Sequence, residues 1–304
     1  MKNLAFLGRL FRDTFSNFLE DRTLRMAGAL AYYSVFSMAP LILIAVGVAS
    51  QFFDKATAQE QILQEIGETV GPSARDALAQ ILQHAGGAGN GVVATIVGVV
   101  LLLFGASGAF AELQDGLNNI WKVKPKPGLG IWELIKNRLL SITLVLGTGF
   151  LLLVSLILTA ILSAVGGWME RHMPGSTWVW HILNSILSLV VVAALFAMIF
   201  KILPDAKISW RDVWMGAVVT SALFTIGKAL IGMYLGRSGL AATYGAAASI
   251  VILLMWVYYS ALILLFGAEF THTYALATRR QVEPMDHAVA DGKQRRNPAM
   301  SPSI

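Results

Sequence analysis

Cysteine is absent from this chain of 304 residues, so no disulfide framework, thiolate nucleophile or cysteine metal site can be built from it. Charge is nearly as scarce: 13% of the residues are Asp, Glu, Lys or Arg, about half the share of an ordinary soluble domain, whereas 56% are hydrophobic. Histidine is limited to His84, His172, His181, His272 and His287, which show neither the paired spacing nor the acidic neighbours of a zinc site. Also missing is a glycine-rich phosphate loop followed by Lys and Ser or Thr, which argues against direct ATP hydrolysis. No catalytic residue, metal or cofactor is therefore expected, and the chain reads as a protein that is not an enzyme.

What is present is a series of long runs without formal charge. Leu139 to Trp168 is built from residues such as Leu, Ile, Val, Ser, Thr, Ala and Gly, and a helix of that length exceeds the roughly 30 Å hydrocarbon core of a bilayer. The same test selects about Ala27 to Phe53, Val92 to Glu112, Trp178 to Phe200, Val213 to Leu235 and Tyr244 to Phe270. In lipid the backbone must satisfy its own hydrogen bonds, and these runs are too long and too uniformly apolar for barrel strands that alternate polar and apolar residues. The expected fold is all-α: a polytopic integral membrane protein with six transmembrane helices.

Lysine and arginine sort by loop. Eighteen fall in residues 1–27, the loops after the second and fourth spans, and the tail, against four (Lys55, Arg75, Arg171 and Arg237) in the opposite loops. By the positive-inside rule both termini are expected in the cytoplasm. The same topology accounts for a sequence pI near 9.5, because the basic residues sit where an anionic leaflet attracts them, and nucleic acid is not an expected partner.

Outside the spans, residues 1–26 form a cytoplasmic amphipathic segment. Leu7, Phe11, Phe15 and Phe18 recur at helical spacing, with Arg9, Arg12, Asp13, Asn17 and Glu20 on other faces, which predicts a helix lying at the membrane interface. These charges interrupt any cleavable leader, so the first span is expected to act as its own insertion signal. The transmembrane domain, 27–272, includes an external helical loop at about 54–90. There Ile62, Ile66 and Val70 form one stripe, Gly71-Pro72 breaks it, and Leu78, Ile81 and Leu82 begin another. Residues 273–304 are expected to be a disordered cytoplasmic tail.

An ionisable residue inside a span costs at least ~2.5 kcal/mol on insertion scales and needs a reason. Lys228 lies in the outer half of the fifth span, with Tyr234, Arg237 and Tyr244 at or beyond its outer end. Contact with an anionic substrate or lipid group is one reading; snorkelling of the amine to the external headgroups is the other. Toward the cytoplasm, Glu112 and Glu269 close the second and sixth spans, Asp115 follows one turn later, and Tyr32 and Tyr33 stand at a similar level on the first. Together these residues are candidates for an inner gate or proton site, with carboxylates that merely face the aqueous boundary as the plainer alternative.

Several motifs run in a specific order from about residue 20 to 275. They are Ala29-Leu30-Ala31-Tyr32-Tyr33-Ser34 with Ala39-Pro40, Gly105-Ala106-Ser107-Gly108 leading to Glu112-Leu113-Gln114-Asp115, Leu203-Pro204-Asp205 with Trp210-Arg211-Asp212-Val213-Trp214, and Trp256-Val257-Tyr258-Tyr259-Ser260 through Gly267-Ala268-Glu269-Phe270. In this order they resemble the YihY/BrkB family. The resemblance implies a bacterial multi-pass protein of the inner (plasma) membrane with six helices. It also brings two labels that the family has carried, ribonuclease BN and resistance to serum killing. The first is at odds with a chain that has neither a soluble catalytic domain nor a metal constellation. The second is compatible with a role in the envelope.

Two functions fit these observations. One is a transporter or lipid-handling protein of the cell envelope, with membrane lipids and an anionic lipid or envelope precursor as its partners. The other is a non-transporting scaffold that organises envelope machinery through the external loop or the Trp210 to Trp214 segment.

Overall fold

A computed structural model describes residues 2–50, 54–70, 75–76, 78–79, 82, 108–126, 177–237, 248–278 and 282–291. Helices α1 (Lys2–Glu20) and α2 (Thr23–Ala49) follow one another in the chain, and Arg22 between them has a left-handed backbone (φ 56°). α3 (Lys55–Val70) and a helical stretch at 108–120, α4, come next, and α4 leads into strand β1 (Val123–Pro125). The order then runs α5 (Thr177–Ile202), β2 (Ala206–Lys207), α6 (Trp210–Arg237), α7 (Ala248–Ala277), β3 (Glu283–Pro284) and β4 (Ala288–Ala290).

Among the described residues three helical stretches are long and apolar enough to cross a membrane: Ser185–Ile202, Trp210–Tyr234 and Ile250–Ala277. They fall on the fourth, fifth and sixth expected spans. The first coincides with α2 as far as Ala49. The third expected span and most of the second lie outside the described residues.

The chain forms two compact units. The first comprises Met1–Asp21, Gln114–Ala222 and Phe266–Ile304; the second comprises Arg22–Leu113 and Leu223–Leu265.

In the first unit α1 docks through Leu10, Thr14 and Phe18, all buried, and its aromatic rings meet α7 at Phe11–Phe270 (5.3 Å between centroids) and Phe18–Phe266 (5.6 Å). Asn17 Nδ2 donates to Thr273 Oγ1 at 3.2 Å, fixing the register of the two helices. Leu7, Phe11, Phe15 and Leu19 remain exposed. The single apolar stripe expected on α1 is therefore two: one turned into the protein, the other left for an apolar surrounding.

Between α6 and α7 the contact is made by reciprocal glycine–threonine pairs. Thr220 Oγ1 donates to Gly216 O and Thr271 Oγ1 to Gly267 O, each at 2.7 Å within its own helix. Each threonine packs against the glycine of the other helix: a Cβ added at Gly216 would lie 2.8 Å from the Cβ of Thr271, and one at Gly267 would lie 2.8 Å from that of Thr220. Small residues of this kind let helix backbones approach closely where lipid offers no hydrophobic drive for association.

After α7 the chain does not trail away. β4 pairs antiparallel with β1 (Val123 opposite Ala290) and β3 with β2 (Ala206 opposite Pro284). The expectation of disorder from residue 273 is thus corrected for its described part: α7 runs on to Ala277, and residues 283–290 add strands to two inter-helix connections, while 292–304 lie outside the described residues. Pro125 and Pro284 cannot donate to a ladder, which helps keep both ribbons short.

The second unit holds an apolar cluster of Val46, Leu63, Leu78 and Leu82, with Ile62 and Ala79 packed against it. The expected helical character of loop 54–90 appears in α3. Of the second expected stripe, Leu78 and Leu82 are buried in this cluster, and Ile81 lies outside the described residues.

Candidate functional site

Two groups of buried polar side chains stand in the first unit. One is centred on Asp205, which follows Pro204 where α5 has ended. Its Oδ2 accepts from Asn118 Nδ2 at 2.8 Å, and its Oδ1 accepts from Gln114 Nε2 at 3.2 Å and faces His287 Nε2 at 3.0 Å. The backbone N–H of Asp205 donates to Asn118 Oδ1 at 2.8 Å, and its carbonyl accepts from Met285 N at 2.9 Å. One buried carboxylate thereby ties α4, the α5–α6 connection and the segment after α7 together, with its oxygens satisfied as a buried acceptor requires. Asp115, on the same helix as Gln114 and Asn118, is exposed as a residue. Partial burial of its carboxyl, and secondarily the Asp205 charge, push its pKa above the usual carboxylate range.

The other group lies on α7. Glu269 is 1% exposed and His272, one turn on, is 8% exposed; His272 Nδ1 stands 3.9 Å from Glu269 Oε1. Trp121, at the end of α4 and 2% exposed, presents its ring to that of His272 in a T-shaped contact with centroids 5.1 Å apart. Among the described residues, Glu269 Oε2, His272 Nδ1 and Trp121 Nε1 find no hydrogen-bond partner. A carboxyl and an imidazole enclosed together offer polar atoms that can hold a small polar molecule. Full burial of an ionisable residue at this position marks function more strongly than its presence near a helix end.

The expected inner-gate residues divide between the two units. Glu269 and Asp115 belong to the first; Tyr32, Tyr33 and Glu112 belong to the second. Glu112 is half-buried, and Tyr32 is exposed beside Phe36. Tyr33 packs across Gly108, where an added Cβ would come within 2.8 Å of the ring, so its ring fills a packing position. Of the expected outer contact set, Lys228 is exposed on α6 between exposed Ile226 and Leu230, and Tyr234 is exposed as well. Arg237 ends α6, and Tyr244 lies outside the described residues.

An open pocket of about 440 Å³ is lined by Lys201, Lys207, Ile208, Ser209, Asp212, Ala275 and Val282. Its lysines are already engaged: Lys201 Nζ donates to Ile208 O and lies over the Trp210 ring, and Lys207 pairs with Asp286. Among the described residues no group of three or more His, Asp or Glu side chains is placed to hold a metal.

Sequence reasoning passed over Asp205, Asn118, Trp121 and His272 as site residues. A visible signal existed for Asp205, a lone acid directly after a proline at a helix end. None existed for Trp121 and His272, which are far apart in the chain.

A family model described as virulence factor BrkB matches residues 14–291. Among curated relatives, a UPF0761 membrane protein of Albidiferax ferrireducens is 29% identical over 264 residues, 86% of this chain and 60% of that protein. Another, from Pseudomonas aeruginosa (strain LESB58), is 30% identical over 253 residues, 83% of this chain and 59% of its own length. A third, from Alteromonas mediterranea, is 26% identical over 267 residues, 86% of this chain and 87% of the relative. The chain thus spans about three fifths of the length of the first two. No solved structure matches it.

Proposed function

Because the chain belongs to the virulence factor BrkB family of membrane proteins, we propose that it is a six-span protein of the bacterial inner membrane with both termini in the cytoplasm, working as a transporter or lipid-handling protein of the cell envelope and not as an enzyme. The observation that carries this reading is Glu269, fully buried in an apolar helix of 30 residues. A carboxylate kept there against its insertion cost serves as a proton-accepting group, since gaining or losing a charge in a low-dielectric surrounding shifts the balance between two packed arrangements. Glu269 is then the proton site of the inner gate, and Lys228, on an exposed apolar face, reaches anionic lipid headgroups with its amine.

The absence of cysteine makes the topology directly testable, because single cysteines introduced at residues 3, 60, 124, 174, 209, 240 and 290 can be probed from each side of the membrane. Reaction of 60, 174 and 240 from outside alone, and of the other four from inside alone, supports six spans. For function, liposomes containing the protein are expected to move a fluorescent phosphatidylglycerol analogue between leaflets when a pH gradient is imposed. Glu269→Gln should remove the dependence on that gradient. Rates equal to those of empty liposomes refute the transport reading.

A scaffold remains the second reading, favoured by the exposed Trp210, Trp214 and Met215 on one end of α6. Those side chains also suit a membrane interface. A protein partner lost on Trp210→Ala and Trp214→Ala, in a chain that moves no lipid, selects the scaffold.

A further inference from the structure

Among the described residues three buried side-chain polar atoms lack a hydrogen-bond partner, and all three belong to one neighbourhood: Trp121 Nε1, Glu269 Oε2 and His272 Nδ1. The ring of Trp121 contacts that of His272, and His272 Nδ1 faces Glu269 at 3.9 Å, too long for a direct bond. Isolated orphans scattered through the fold would each call for a separate account. Three on side chains that neighbour one another call for one.

Their chemistry specifies what lies between them. An indole N–H only donates, so it needs an acceptor; an ionised carboxylate only accepts, so it needs a donor. A bare cation cannot accept from the indole, and an anion would meet Glu269. Water both donates and accepts, and with bonds of ~2.8 Å on each side it can join polar atoms that stand too far apart to bond each other. We propose that Trp121, Glu269 and His272 enclose a binding site for one water molecule, which accepts from Trp121 Nε1 and donates to Glu269, with His272 Nδ1 as its third partner. The water joins Glu269 to His272 in a single hydrogen-bonded chain. That connection serves proton exchange at Glu269 and so rests on the function proposed above, whereas the water site itself does not.

Hydroxyl-radical labelling by pulsed X-ray radiolysis tests it in the full-length protein in nanodiscs, because radicals formed from a bound water modify the side chains beside it. With reactivities normalised to the unfolded chain, Trp121 and His272 are expected to label several-fold above Phe200 and Phe270, which are also buried, at 0% and 1% exposed against 2% for Trp121 and 8% for His272. Trp121→Phe keeps the ring and deletes the donor, and should bring His272 down to the phenylalanine background. Labelling of Trp121 and His272 no greater than that of Phe200 overturns the proposal, and this wild-type ratio decides even if the variant does not fold. Unchanged labelling of His272 in a folded Trp121→Phe variant overturns it too. Strong labelling in a protein that moves no lipid would sink the transport reading and leave the water site standing.

Discussion

Replacing Gly267 by alanine probes the closest approach of α6 and α7 in the first unit. The new Cβ would lie 2.8 Å from both Cβ and Cγ2 of Thr220 and nearer still to its Oγ1. Non-bonded carbons rest at about 3.5–4.0 Å, so either the helices part by roughly 1 Å or Thr220 leaves its rotamer. Thr220 is fully buried, and rotating it breaks the 2.7 Å bond from its hydroxyl to Gly216 O. Overpacking of this kind costs about 1–3 kcal/mol and loss of the buried bond about 1 more, so Gly267→Ala should destabilise the protein by about 2–4 kcal/mol. Thermal or denaturant unfolding in detergent measures it. Thr220→Ala in the same chain relieves the Oγ1 and Cγ2 contacts and should rescue part of the loss. Thr220→Gly relieves all of them and should rescue more, less about 1 kcal/mol for glycine within a helix. A Gly267→Ala protein as stable as wild type, or one that neither threonine variant improves, would refute the close approach.

Two further perturbations test α4 and the turn that follows it. Lys122 combines a left-handed backbone (φ 55°) with a 2.5 Å ion pair to the shielded carboxylate of Asp21. Lys122→Ala keeps the strained backbone and loses the pair, whereas Lys122→Gly loses the pair but relieves about 1 kcal/mol of strain. Alanine should therefore lower Tm more than glycine, and the reverse order would count against the geometry. Asp115, whose carboxyl is pushed up by burial and by Asp205, binds its proton more tightly in the folded protein than its ordinary value of 3.8 allows. That contribution to stability is complete below the ordinary value and is lost as pH rises through the raised one, above which the ionised group is a net cost. Asp115→Asn should raise Tm at neutral pH and flatten its pH dependence across that window; an unchanged profile means that Asp115 is not perturbed.

The legible part of the fold followed from simple physics. α5, α6 and α7 appear where long uncharged runs stand, because a helix in lipid announces itself through each residue's own transfer free energy. The helical spacing on α1 was legible for the same local reason, but its division into a buried and an exposed stripe was not, since that depends on where α7 lies. Residues 283–291 look disordered because the segment is polar and aperiodic. Its order comes from hydrogen bonds to β1 and β2, which are distant in sequence. Glu112 and Glu269 read alike, each an acid near the end of an apolar run. Packing made one half-buried and enclosed the other with Trp121 and His272.

Composition and charge order alone determined that this is a helical membrane protein, roughly where α5, α6 and α7 lie, and that cysteine chemistry has no place in the chain. These are sums over individual residues and need no partner. Only the tertiary structure decided that Asp205 holds three segments together, that Lys228 lies on an exposed face, and that Glu269 is buried beside two groups that, like it, hold an atom without a hydrogen-bond partner among the described residues. Burial and hydrogen-bond satisfaction are properties of neighbours, and the neighbours here come from stretches of chain up to 256 residues apart, as in the bond from Asn17 to Thr273.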